Sequence, residues 1–252
     1  MIQVIGSLIS PYVKKVVTLL NMKGVEFEVD PITPFYGDER FTKLSPLRRI
    51  PVLIDGEIVL NDSSVIAQYI EETWPNPTAL PDTPADRARA RWIEEYSDTR
   101  IGDVFIWKGF VPIVVAPYVF GGEPKTEAFK QNVDTEVVEV MDFLESEITD
   151  DGFLAGAFGL ADISVASMFR NMRYAKWRPD PARWPKTCAW LERAEAEPCL
   201  ALANEWSDRL LTTPRSERRQ AARDMGLALT PETLATKTPR RGPVTPFEWD
   251  AS

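Results

Sequence analysis

The chain has 252 residues, 44% of them hydrophobic and 27% charged, a globular balance with room for one large domain or two ordinary ones. Its net charge of −9 argues against a nucleic-acid protein, which needs a basic face for phosphate. It contains no histidine, which removes Ser-His-Asp and Cys-His catalysis and the commonest metal ligand, so no metal site is expected.

The first half alternates in element type. Residues 2–6 form a short β-branched run ended by Gly6, read as a strand. Ser10-Pro11 opens a helix with Ser at the N-cap and Pro at the first helical position. Val13, Val16, Val17 and Leu20 are its apolar stripe, and Gly24 ends it. Val25 to Val29 reads as a second strand, and Phe35 to Leu44 as a loop with a short helix. Strands at Pro51–Asp55 and Glu57–Leu60 meet at Asp55-Gly56, a strong hairpin signal. A helix follows from Asp62 to Thr73, with Val65, Ile66, Tyr69 and Ile70 at helical spacing. A βαβ unit followed by ββα is a small mixed sheet with helices on its faces, compatible with a thioredoxin-like arrangement.

Prolines 75, 77, 81 and 84 mark a linker. The expected division is 1–76 for the sheet domain, 77–84 for the linker, 85–212 for an all-helical domain and 213–252 for an extension. The fold class is thus α/β plus all-α. One long helix is expected over 125–148, with Phe129, Val133, Val137, Val140, Met141, Leu144 and Ile148 inward. Pro112 and Pro117 are expected to kink or end the helix before it. Further helices are read at 160–176, 183–195 and 199–211, with another possible at 215–226. From residue 213 onward there are seven Lys/Arg against five Asp/Glu, a mildly basic tail on an acidic body. It ends in the aromatic pair Phe247 and Trp249 and is expected to lie along the body.

Ten residues separate Cys188 from Cys199, so they form no CxxC pair and read as small buried hydrophobes in a reducing compartment. No apolar run reaches the roughly 18 residues of a bilayer span. The start carries no basic n-region. The chain is expected in the cytoplasm, with no membrane partner.

Four motifs in order resemble cytosolic glutathione transferases of the bacterial, serine-type kind. They are Ser10-Pro11-Tyr12-Val13-Lys14-Lys15-Val16, Arg49-Ile50-Pro51-Val52-Leu53, Asn61-Asp62-Ser63-Ser64-Val65-Ile66, and the stretch from Gly152-Phe153-Leu154-Ala155-Gly156 to Ala161-Asp162-Ile163. The family usually carries Ser or Thr where this chain has Gly159, which is read as a small loss of capping strength. The resemblance implies a thioredoxin-like domain followed by a helical bundle, glutathione as co-substrate, a homodimer, and a cis peptide before Pro51.

Glutathione brings its own nucleophile, a thiol with a pKa near ~8.5 when unperturbed. The protein must stabilise the thiolate, and lowering the pKa by about two units takes roughly 2.7 kcal/mol. A hydroxyl at a helix N-terminus can do this without histidine. Ser10 is the first candidate, Tyr12 the second and Ser7 a weaker third. Ordinary N-capping is the competing reading of Ser10.

By resemblance, the Val52 backbone after Pro51 would pair with the cysteinyl part of the tripeptide like an added strand. Asp62 and Ser63 would hold the γ-glutamyl end at a helix start, where plain capping competes. Arg49, or less so Arg48, would meet the glycyl carboxylate. Phe35, Tyr36, Trp107, Phe110 and Trp177 are candidates for the wall around the second substrate, although such residues are more often simple core or interface packing. The expected activity is transfer of the glutathione thiolate to an electrophilic, apolar or aromatic small molecule. Glutathione-dependent ether cleavage or dehalogenation is a close variant. A non-catalytic protein-binding module on the same fold is the alternative of a different class.

Overall fold

The computed structural model describes residues 1–149 and 151–243; Phe247 and Trp249 lie outside them. The chain divides into two compact units. Among the described residues, one holds Met1–Pro77 together with 199–243, the other Thr78–Pro198.

In the first unit, β1 (Ile2–Ile5), α1 (Pro11–Met22) and β2 (Phe27–Asp30) form a parallel βαβ unit. A 3-10 turn at Pro34–Tyr36 and the short α2 (Glu39–Leu44) follow, then the hairpin β3 (Val52–Asp55) and β4 (Ile58–Asn61) and α3 (Ser63–Thr73). β3 runs antiparallel to β1. Gly56 takes φ 58 in the hairpin turn, where Asp55-Gly56 predicted it. The α1 stripe Val13, Val16, Val17 and Leu20 is fully buried. A second cluster joins Ile5, Ile32, Phe41 and Val52, with Leu44, Ile50, Ile54 and Leu234 packed against it.

Leu234 belongs to the tail, which is not a separate appendage. α10 (Pro198–Thr212) from Cys199 on, and the described residues after it as far as 243, fold with the sheet unit, so the expected boundary at 212 falls at 198 instead. α10 anchors here because Ser207 donates its hydroxyl to the Leu8 carbonyl and Trp206 meets Phe27 edge-on at 6.4 Å. After α11 (Arg218–Asp224), residues Ala228–Leu229 form β5, parallel to β2, and the sheet order becomes β4-β3-β1-β2-β5. No strand is expected there from the sequence.

The second unit is helical: α4 (Pro84–Tyr96), a wide-turn stretch Ser97–Val115, α5 (Ala116–Phe120), α6 (Thr126–Asp134), α7 (Glu136–Glu147), α8 (Leu160–Tyr174) and α9 (Pro185–Ala196). Thr83 caps α4 by accepting from the Asp86 N–H at 3.1 Å. The expected 125–148 helix is broken at Thr135, whose φ of −125° and ψ of −83° leave the helical region. Asn132, not Val133, points inward there and donates to the Val104 carbonyl at 2.9 Å. The chain does not break at Pro112 either. The turns widen to i→i−5 over Ser97–Val115, ending with Ala116 N–H on the Val111 carbonyl, and the helix stops only at Gly121 beyond Pro117. The resulting Pro84–Phe120 helix is long and apolar enough to cross a membrane by length and composition, which the sequence reading did not foresee. Ile101, Val104, Phe105, Ile106, Phe110 and Val111 on it are buried, as in the core helix of a globular unit.

Gly159 is the N-cap of α8, and its place is set by sterics rather than by capping. A Cβ there would lie 2.3 Å from the Ala79 carbonyl oxygen, which accepts the Leu160 N–H at 2.8 Å. Gly159→Ser, which would restore the family's usual capping side chain, is therefore expected to destabilise the protein by about 1–3 kcal/mol through overpacking. Urea-unfolding midpoints of the two proteins check this; a gain in stability would make capping the dominant effect.

Candidate functional site

One row across the sheet organises the site. Ile5 is in register with Asp30 on one side and Val52 on the other, and Val52 with Asn61. The loop after Ile5, the proline before Val52 and the helix start after Asn61 therefore lie at the same end of the sheet.

Gly6 brings the first two together. Its φ is 153°, and a Cβ would sit 2.6 Å from Val13 Cγ2 and 3.0 Å from Ile50 Cβ. Only glycine lets the α1 entry and the Ile50-Pro51 segment approach this closely. The sequence marked Gly6 as a strand end; the contact with Ile50 was invisible in it. The Ile50-Pro51 peptide is cis, as the resemblance implied.

Ser10 is the N-cap of α1, with φ −67° and ψ 129° and Pro11 at the first helical position. Its carbonyl accepts the Lys14 N–H at 2.9 Å, but its hydroxyl makes no capping bond. The residue is half-buried. Thus the competing reading of Ser10, hydroxyl spent on the helix, does not describe this geometry. Ser7 is buried, and its oxygen accepts the Ile9 N–H at 3.4 Å. Tyr12 is half-buried within the first turn of the helix.

Asp62 is the N-cap of α3. Its Oδ1 accepts from the Ser64 N–H at 2.9 Å and the Val65 N–H at 3.4 Å, so the capping reading holds for this carboxylate. Its backbone is unusual: φ 76°, ψ 127° in a non-glycine residue. Such a conformation costs on the order of 1–3 kcal/mol and persists where the surroundings impose it, often at functional sites. Ser63 beside it is buried, and Lys15 from α1 reaches the Ser64 hydroxyl at 3.5 Å, tying the two helix starts together.

Three expectations need correction. Val52 sits between two strands, in register with both, so its backbone belongs to the sheet. Arg48 is buried with φ 51°, and its guanidinium donates to Thr42 Oγ1, to the Pro34 carbonyl and to the Gly37 carbonyl. Burial, and then the neighbouring Arg240, push its pKa down. It is a brace, whereas Arg49 is exposed. Phe35 and Tyr36 lie buried beneath the tail: their carbonyls accept the Arg240 and Thr236 N–H groups, and the Arg215 guanidinium sits 3.7 Å from the Tyr36 ring centre. They do not form an open wall.

In the helical unit, Phe110 is buried against Tyr174 at 6.0 Å, and the half-buried Trp177 meets Phe105 edge-on at 5.8 Å. Trp107 is half-buried on the wide-turn stretch.

The chain matches known proteins over both units. The N-terminal domain model of the glutathione S-transferases matches residues 4–78, and their C-terminal domain model residues 127–193. A probable glutathione S-transferase of Glycine max is 32% identical over 166 residues, covering 65% of this chain and 68% of that protein. Glutathione S-transferase U28 of Arabidopsis thaliana is 31% identical over 193 residues, covering 73% and 80%. A crystal structure of a glutathione S-transferase from Rhodospirillum rubrum F11 is similar in fold, with a TM-score of 0.71 at 22% identity, covering 86% of this chain and 98% of that one.

Proposed function

Because the chain belongs to the glutathione S-transferase family, whose co-substrate is glutathione, we propose that it holds the tripeptide across the sheet row described above, ionises its thiol at Ser10, and adds the thiolate to an apolar or aromatic electrophile. The observation that carries this reading is the unspent Ser10 hydroxyl at the positive end of α1, at the same end of the sheet as Pro51 and Ser63. The γ-glutamyl carboxylate takes the Ser63 hydroxyl and N–H at the start of α3, where the helix dipole favours an anion. Asp62, held by its backbone at the same corner, takes the ammonium group. The peptide then runs past Pro51. Ile50, which has no partner in the strand registers, supplies the pairing backbone in place of Val52. The glycyl carboxylate reaches Arg49.

The half-buried Trp107 and Trp177 support an apolar second substrate. We read the chain as a cytoplasmic homodimer. Both cysteines are free thiols, and Ile58 and Val59 on the edge strand β4 and Val65 on α3 are exposed. Two such edges facing each other would bury apolar surface.

Retention on immobilised glutathione, followed by thiolate absorbance of the bound tripeptide, tests the reading. Binding with a thiolate band at neutral pH is expected. Failure to retain glutathione would favour a partner-binding module on the same fold.

A further inference from the structure

Asp30 belongs to the same sheet row but has no place in the reaction. Its carboxylate is fully buried, and its partners come from the tail: Arg219 Nη1 at 2.9 Å, the Thr233 hydroxyl at 2.9 Å and the Leu234 N–H at 2.7 Å. A buried carboxylate needs this many donors to remain in the fold. From that anchor the tail follows the segment between β2 and Pro51. Asp38 N–H donates to the Leu234 carbonyl at 2.8 Å, Thr236 N–H to Tyr36 at 2.6 Å, and Arg240 N–H to Phe35 at 2.7 Å. Side chains add to the seam: Arg40 bonds Glu232 at 2.8 Å and the Thr233 carbonyl at 2.9 Å, and Arg240 pairs with Glu39. Gly242 passes so close to the Leu47 carbonyl and Arg48 that a Cβ would meet them at 2.9 and 3.1 Å.

The segment so covered contains only a single 3-10 turn and the six-residue α2, and it leads directly to Arg49. A helix that short has little stability of its own. Left alone, the segment would have to be ordered by the ligand, at a conformational-entropy cost for each residue fixed. The tail provides that order in advance.

We propose that residues 230–242 are a permanent strap that presets the 34–49 segment, and with it Arg49, for the glycyl end of glutathione, with Asp30 as its positioning residue. The inference rests on the placement of glutathione given under Proposed function. A preset site lowers the ordering cost of binding without touching the chemistry at sulfur. The strap therefore acts on KM for ligands that carry the glycyl residue, and on nothing else.

The test compares full-length wild type with Asp30→Asn and with the double variant Arg40→Ala/Arg240→Ala, which leaves the buried carboxylate intact. KM and kcat are measured with glutathione and with γ-glutamylcysteine, which lacks glycine. In both variants KM for glutathione is expected to rise about tenfold with kcat within about twofold, while the γ-glutamylcysteine values stay as in wild type. If Asp30→Asn does not fold, the double variant decides alone. Equal losses with both thiols would mean general damage and overturn the strap, as would unchanged KM in the double variant. Wild type that binds no glutathione overturns the strap together with the reading beneath it; wild type that binds, with variants indistinguishable from it, overturns the strap alone.

Discussion

In Ser10→Ala, the thiolate fraction of bound glutathione at pH 7 is expected to fall about 25-fold. The size follows from two pKa values. A bound thiol brought down to about 6.5 is roughly three-quarters ionised at pH 7, whereas one returned to about 8.5 is roughly 3% ionised. The rate should fall less than the thiolate. A thiolate of lower pKa is a weaker nucleophile, by about 0.4–0.5 log unit per pKa unit, so two units of stabilisation give back nearly a factor of ten in reactivity. Absorbance of the bound thiolate is thus the cleaner readout. It also separates the candidates. Tyr12→Phe should leave the band in place, because the hydroxyl at the N-cap of α1, which makes no capping bond, is that of Ser10. Raising the pH to about 9.5 should restore the band in Ser10→Ala, since ionisation then needs no help from the protein. An unchanged band in Ser10→Ala, or one lost only in Tyr12→Phe, would remove Ser10 from the mechanism.

Much of the sheet unit is legible in the sequence because its signals are local. Pro11 at the first helical position starts α1 and Asp55-Gly56 turns the hairpin, just as Thr83-Pro84 starts α4 in the helical unit. What escapes is set by contacts distant along the chain. Leu234 and Asp30 are 204 residues apart, and no periodicity in Ala228-Leu229 announces a strand. The mild basic excess of the tail was the trace of it: Arg215, Arg219 and Arg240 all bind the sheet unit. The same distant contacts turn Phe35 and Tyr36 from an open wall into buried packing. Thr135 shows the opposite failure. The apolar spacing runs on across it, but its hydroxyl bonds the Gln131 carbonyl at 2.8 Å and the helix axis breaks there. At Gly159 cap strength is the wrong reason for the right position, since Ala79 dictates the residue.

Asp162 carries the second large effect, and its sign is decided by two opposing influences. The carboxylate accepts the Leu154 N–H at 2.9 Å, the Gly159 N–H at 3.2 Å and the Trp190 indole N–H at 2.8 Å, all of which favour the ionised form. Burial opposes them and wins, pushing the pKa up to about 6 from an ordinary value of 3.8. Between those two values the unfolded chain is ionised at this residue while the folded one keeps its proton. Stability linked to the group is therefore full below about pH 4 and is lost as the pH rises through 6. The gap of about two pKa units corresponds to roughly 3 kcal/mol. Asp162→Asn cannot titrate there, and its amide resembles the protonated acid in shape, with two N–H donors in place of one O–H. The unfolding free energy of wild type minus that of Asp162→Asn should thus fall by about 2 kcal/mol from pH 4 to pH 6.5 and stay nearly level above. Urea titrations at a series of pH values give that difference directly. If it grew with pH instead, the three N–H donors would outweigh burial, and the residue would be an ionised cap throughout the physiological range.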